Sequence, residues 1–381
     1  MDFSWTAEQD RAREKIVQFA RQELSGQVIE LDERGEFNRQ GWEKCVGLGI
    51  QGLPIPTRYG GGEAEALTTL YLLEGLGYGC KDAGLVFAIN AQMWGCELPI
   101  LSFGSESQKT RYLPDLCAGR SIGALAASER EAGSDTNNIQ TLAERKSDYY
   151  LLNGSKTFVT NAPVADVLLV VATLDRDRPK EGITAFLVEK DFPGFPVERT
   201  LDKMGLRTAP MGAVRLTDCR VPVENRLGRE GAGGTVFRHA MEWERAFILA
   251  AAVGTMERQL EECCQYARTR RQFGQPIGKF QLLASKLVDQ KIRLETARLL
   301  LYKVGWLKQR GRSIFMEASL AKLYVSECWV QSSMDAVQIH GGYGYLTENE
   351  VERGLRDAIG SRLYSGTSEI QRLIIARFLG L

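Results

Sequence analysis

The spacing of apolar positions changes twice along the chain. Up to about residue 117 apolar residues recur at helical intervals: Ile16, Phe19 and Ala20 predict the inward face of a first helix, and Thr6 with Gln9 has the pattern of a capping box. The stretch LPIPTRYGGG, with Pro54, Pro56 and Gly60 to Gly62, predicts a loop, because neither proline nor a glycine triplet continues a helix. Helices resume after it. From about 120 to 225 the period is that of strands, with short apolar runs at 167–173, 183–188 and 213–216. Within it, residues 149–152, then Asn153-Gly154, then 156–159 predict a hairpin closed by a type I′ turn. Beyond about 226 long helical segments return, including 282–309 and 313–337. The expected architecture is α+β and multidomain: a helical N-terminal domain at 1–117, a β-barrel-like middle domain at 118–225 and a C-terminal helical bundle at 226–381.

One polar residue interrupts an otherwise apolar stripe. Phe237, Met241, Glu244, Ile248 and Ala251 follow one another at steps of four, three, four and three, the spacing of a single helical face. Glu242 and Arg245 point elsewhere on the wheel. A carboxylate sharing a face with core residues is neutralised, paired with a cation from another segment, or used in chemistry, since burial disfavours its charged form. The stripe alone leaves these readings open.

Composition narrows the field. With 381 residues, 44% hydrophobic and 25% charged, the chain has the make-up of a globular protein. Its 48 basic and 48 acidic side chains cancel, so no net field attracts nucleic acid or an anionic membrane. The first residues, MDFSWTAEQD, lack a basic segment followed by an apolar one, and no apolar run approaches the roughly 20 residues of a membrane span; a cytoplasmic location is expected. The eight cysteines include no C-x-x-C pair and read as buried thiols, while His239 and His340, the only imidazoles, sit at no metal-ligand spacing, so no metal is expected.

Several stretches carry potential chemistry. In IGALAASEREAGSD, small residues and Gly133 allow backbone amides to approach a ligand, and Ser128 and Ser134 offer hydroxyls; a polar loop after a strand reads equally well. In LNGSKTFVTNA, Phe158 and Thr160 alternate on a strand and present an aromatic ring beside a hydroxyl, either for a flat cofactor or for sheet packing. RTRRQFGQPIGKFQ gathers Arg268, Arg270 and Arg271 near Phe273, a patch suited to phosphate or a solvated helix end. QIHGGYGY places Gly341 and Gly342 where backbone N–H groups meet an anion or simply cap a helix. In YSGTSEIQRLIIARFLG, hydroxyls at 365, 367 and 368 precede a helix expected from about Glu369, a good phosphate seat.

Taken together and in order, these stretches resemble the acyl-CoA dehydrogenases over essentially the whole chain. The likeness rests on SEREAGSD, LNGSKTFVTNA, LDKMGLR followed by CRVP, TRRQFGQPIGKFQ, QIHGGYGY and GTSEIQRLIIAR. It implies a helical N-terminal domain, a middle β domain and a C-terminal four-helix bundle, assembled as a homotetramer that binds FAD across subunits. By the same resemblance Leu125, Ala127 and Ser128 lie along the flavin, and Ser134 lies beside the pantetheine arm of the thioester. Phe158 packs on the isoalloxazine and the Thr160 hydroxyl reaches flavin N5. Arg270, Gln272 and Phe273, with Gln338, Gly341 and Gly342, hold the pyrophosphate and adenosine from a neighbouring subunit. Thr367 and Glu369 make the remaining FAD contacts, and His340 is a bystander.

Two positions depart from the family pattern. Ser365 stands where many members place the catalytic glutamate, in Y-E-G-T, and serine cannot be that base. A branch resembling isovaleryl-CoA dehydrogenase takes its glutamate from the long helix instead, and MEWER aligns Glu244 with it. The resemblance therefore implies that Glu244 removes the α-proton while hydride leaves Cβ for the flavin, with the backbone N–H of Ser365 polarising the thioester carbonyl. The other departure is Arg130, where the family usually has proline, at the substrate entrance. The combination of MEWER with Ser365 is most similar to flavoproteins that oxidise prolyl groups tethered to acyl or peptidyl carrier proteins; a short branched-chain acyl-CoA dehydrogenase is the alternative. A flavin monooxygenase on the same fold, and a flavin-binding protein without turnover, are further readings. The expected partners are the acyl thioester and an electron acceptor, either another flavoprotein or oxygen.

Overall fold

The computed structural model describes residues 4–195 and 197–381. Its first helix, Ala7–Glu23, begins with the expected capping box: the Thr6 hydroxyl accepts from Gln9 N–H, and the Gln9 side chain accepts from Thr6 N–H. Helices Ala66–Gly79 and Ala83–Gln92 follow the proline and glycine loop, and their apolar faces are buried. The continuous helical segment Ala83–Phe103 is, against expectation, long and apolar enough to span a bilayer by length and composition. It is a core helix instead, with 83% of its apolar window covered by protein. Asn90, Gln92 and Glu97 break its apolar run, and all of them are buried with partners inside the fold.

The middle of the chain forms an eight-stranded sheet: β1 Gly123–Ala126, β2 Leu142–Arg145, β3 Tyr149–Thr160, β4 Val167–Thr173, β5 Ile183–Glu189, β6 Val197–Thr200, β7 Met211–Pro222 and β8 Arg226–Leu227. The order is β6-β7-β3-β2-β4-β5-β8, with β1 parallel to β4. The hairpin expected at Asn153-Gly154 does not form; β3 runs straight through these residues and pairs with β7 along its length. Asn-Gly marks a bulge here. The Asn153 amide donates to Asp218 and accepts from Asp218 N–H, and a Cβ on Gly154 would lie 2.4 Å from Thr141 Oγ1, so only glycine lets β2 and β3 approach this closely. A second register shift falls between Lys156 and Val159, where Phe158 adopts φ 57°.

The C-terminal part contains helices Gly233–Phe247, Ala250–Thr269, Gln281–Gln309, Phe315–His340, Val351–Gly360 and Ser368–Phe378. The stripe containing Glu244 is thus not one helix: a turn at Ile248 and Leu249 separates two helices, leaving Glu244 one turn from the end of the first. The last helix starts at Ser368, capped by Thr367, one residue earlier than expected. The N-terminal and C-terminal helices share one core. Helix Ala66–Gly79 lies so tightly on Ala250–Thr269 that a Cβ on Gly77 would sit 2.0 Å from the Ala251 carbonyl oxygen, and one on Gly254 would sit 1.9 Å from that of Glu74. The β unit is tied to this body by Asn161, whose amide donates to the carbonyls of Ala88 and Gly123, and by the LDKMGLR stretch, where Leu206 N–H donates to buried Asp357.

Candidate active site

Where the helical body meets the sheet, Glu244 and Ser365 come together. The Ser365 hydroxyl donates to Glu244 Oε1 at 2.6 Å. Ser365 sits at φ 54° in the turn between Val351–Gly360 and Ser368–Phe378, and the Gln371 amide holds that turn by donating to the carbonyls of Ser365 and Gly366. The N–H of Ser365 meets no acceptor among the described residues. Tyr364 packs on Phe87 at 4.7 Å between ring centres and lies close enough to Glu244 for the two to repel as anions.

The other carboxylate oxygen, Oε2, makes no hydrogen bond among the described residues and lies beside Gly95. It is 3.9 Å from where a Cβ on Gly95 would stand, and that Cβ would lie 3.0 Å from Leu125 Cβ. Gly95 belongs to a single π-helical turn, Met93–Glu97, a local widening of the helix that often marks functional sites. Part of Glu244 still meets solvent, yet its carboxyl is packed deeply enough that desolvation pushes it up to about 7, against the smaller opposing effects of Ser365 and Arg245. No cation lies within ion-pair distance of it among the described residues. Glu242 differs in every respect: it pairs with Lys308 at 3.3 Å and accepts from Ile314 N–H.

Facing this corner, Leu125 and Ala127 are half-buried at the end of β1 and just after it, with Ser128 beside them. Phe158 projects from the β3 bulge with 66% of its surface exposed, and Thr160 is half-buried two residues on. The loop that carries Ser128 is fixed by a feature the sequence did not reveal. Buried Glu129 pairs with buried Lys156 of β3 at 2.7 Å and accepts from Thr141 and from Gln140 N–H, while Lys156 also donates to the Ala127 carbonyl. Against burial, which would raise it, Lys156 and these bonds hold the Glu129 carboxyl below its ordinary value. Ser134 and Arg130 lie on the exposed outer part of the loop, and Arg130 meets Glu131 at 3.7 Å.

The remaining candidates lie elsewhere. Arg270 follows the far end of Ala250–Thr269, so about 30 Å of helix separates it from Ala250 and the Glu244 corner. It is exposed, with its guanidinium 5.4 Å from the Tyr343 ring centre. Gln272 is exposed on the short hairpin that follows, and Phe273 at its tip is 92% exposed with φ 49°, ahead of Gly274 at φ 80°. Gln338 and the Gly341-Gly342 pair are exposed at the end of Phe315–His340, where Gly341 at φ 59° caps the helix. His340 is held by the Ala336 carbonyl and stacks on Tyr266 at 4.3 Å. Thr367 caps the last helix, with Glu369 exposed in its first turn. One chain therefore brings Glu244 and Ser365 together beside Leu125, while Arg270 lies elsewhere, against Tyr343 of the segment that follows Gly341.

Comparison with known proteins identifies the family. Residues 6–120, 124–219 and 231–380 match the N-terminal, middle and C-terminal domains of acyl-CoA dehydrogenase. The chain belongs to the acyl-CoA dehydrogenase family. It is 42% identical, over the whole of both chains, to an L-prolyl-[peptidyl-carrier protein] dehydrogenase of Pseudomonas fluorescens. Among solved structures it is similar to the prolyl acyl carrier protein oxidase AnaB, with TM-score 0.98 and 55% identity over 99% of this chain and 100% of the other. It is also similar to PigA with FAD and proline, with TM-score 0.97 and 38% identity over all of both chains.

Proposed function

We propose that the protein is an FAD-dependent oxidoreductase that dehydrogenates an acyl thioester between its α and β carbons, and that the acyl group is a prolyl-like unit on an acyl or peptidyl carrier protein. The observation that carries the reading is the state of Glu244: a buried carboxyl with a hydroxyl partner, no cation within ion-pair distance among the described residues, and a second oxygen left without a hydrogen bond beside Gly95. The residues fit the cofactor. Exposed Phe158 offers an aromatic face beside Thr160, with Leu125, Ala127 and Ser128 next to it, and Arg270 and Phe273 are exposed, the one over the Tyr343 ring and the other against Phe280. FAD, when bound, accepts the hydrogen that departs from the β carbon with its electron pair.

The chain supplies the rest. Glu244 takes the α-proton, and the electrons of that C–H bond become the new carbon–carbon double bond. A carboxylate whose affinity for protons has risen to about 7 is a stronger base than an ordinary one and is still ionised just above neutrality. The Ser365 N–H donates to the thioester carbonyl and stabilises the charge that grows there. The 30 Å or so of helix between the Glu244 corner and Arg270 supports the view that Arg270, Phe273, Gln338 and Gly341 serve the cofactor of a neighbouring subunit in a homotetramer. The carrier-bound prolyl substrate is supported by the likeness to the Pseudomonas relative and to AnaB, and reduced cofactor would be reoxidised by a flavoprotein or by oxygen.

Anaerobic stopped-flow bleaching of the flavin with a panel of thioesters tests this. Prolyl-carrier thioester should bleach it far faster than any short acyl-CoA, because contacts with the carrier contribute to transition-state binding. Fast bleaching by isovaleryl-CoA would move the substrate to the branched-chain acyl-CoAs, and no bleaching by any thioester would remove the dehydrogenase reading.

A further inference from the structure

The Ser365 side chain does more than vacate the position of a glutamate. We propose that its hydroxyl is a positioning group for the base: it binds Glu244 Oε1 and so turns Oε2, alone, toward the reacting carbon. This rests on Glu244 being the base. The geometry is specific, since a 2.6 Å bond from a hydroxyl to a carboxylate is a short, charge-assisted one. The donor is also fixed in place. Ser365 is held in the left-handed region at φ 54°, Gly366 follows at φ 90°, and the Gln371 amide clamps both their carbonyls at 3.1 and 2.9 Å. A non-glycine residue kept at positive φ by a dedicated clamp indicates that the placement of its side chain matters. The result is a division of labour at one residue, with the N–H free for substrate and the hydroxyl committed to the base.

Among the described residues no other side chain hydrogen-bonds the Glu244 carboxylate. Arg245 is adjacent in sequence but makes no ion pair with Glu244, and Tyr364 lies near it without a hydrogen bond. Of the charged groups on packed elements, Glu97 is bonded to Gln92, His239 to Ser102, and Lys308 to Glu242. Lys322, on Phe315–His340, lies in the fields of Glu327 and Arg245 and makes no ion pair with Glu244 among the described residues. Removing the hydroxyl therefore removes the one bond that favours the ionised carboxylate.

The test uses Ser365→Ala, and Ser365→Gly, which suits the positive φ and guards against a folding defect. The Glu244 carboxyl is titrated in the purified holoenzyme by infrared difference spectroscopy, with Glu244→Gln identifying its band, and flavin reduction by substrate is followed over the same pH range. Both variants should raise the carboxyl midpoint by about one pH unit or more. They should also lower the limiting reduction rate roughly tenfold with little change in substrate half-saturation, as expected for a misoriented base. An unchanged midpoint in both variants would overturn the proposal. Failure of the base assignment itself looks different: Glu244→Gln would then reduce its flavin normally while the infrared midpoint still responded to Ser365.

Discussion

Glu129 and Glu244 are both carboxylates withdrawn from bulk water, and the fold treats them in opposite ways. Glu129 is surrounded by donors: Lys156 at 2.7 Å, the hydroxyl and N–H of Thr141, and Gln140 N–H. Its charge is compensated and its carboxyl is held below the ordinary range. Among the described residues Glu244 has one hydroxyl and no cation in contact, and desolvation lifts it to about 7. Compensation makes a charge structural, because moving a proton there would disrupt many bonds. Its absence leaves a group whose proton can come and go near neutral pH. Burial alone does not mark a base; burial without a paired cation, and with one oxygen left without a donor, does.

The largest effect should follow from neutralising the uncompensated carboxylate. Glu244→Gln should keep the fold and the FAD yet lower the rate of substrate-driven flavin reduction by about 10²–10⁴-fold, without loss of thermal stability at pH 8, where an ionised Glu244 costs the fold. The compensated site should respond the other way round. Lys156→Met leaves Glu129 buried without its cation and should cost about 3 kcal/mol of stability in denaturant titration. If Glu244→Gln proved the more destabilising of the two, the contrast would be broken.

A smaller effect sharpens the comparison from a third carboxyl. Glu97 is wholly buried, bonded among the described residues only to Gln92, and raised to about 8 by desolvation. Because its folded value lies above its unfolded one, the unfolded chain loses this proton first as pH rises from about 4.5 toward 8. Native stability attributable to Glu97 is therefore full below that window and declines through it. Glu97→Gln keeps the acceptor for Gln92 and should melt a few degrees higher than the parent at pH 8, with the gap closing at pH 5. A constant gap across that range would mean that Glu97 is already ionised in the fold.

Much of this was legible in the sequence, for identifiable reasons. Helix spacing at Ile16 and Ala20, the Thr6 cap and the apolar strand runs depend on local patterns, and they appear where expected. Asn153-Gly154 misled because the local preference for a turn and the need for a glycine at a crowded bulge use the same residues, and only the partner strand decides between them. The family motifs pointed to Ser128, Phe158 and Arg270. They could not reveal that Lys156 and Glu129 of two motifs are partners, or that Asn161 joins the sheet to the helices, since those are tertiary contacts. Gly95 and its π turn left no trace at all within an apolar helical run.

The central claim is that Glu244 is a base poised near neutrality by burial, and the pH dependence of single-turnover flavin reduction tests it most directly. With saturating thioester under anaerobic conditions, the rate should rise with pH through a midpoint of about 7 and level off above it, as an ionised base requires. That limb should vanish in Glu244→Gln. A parent limb near the ordinary carboxylate value of 4.5, or an unaltered limb in the variant, would contradict the account.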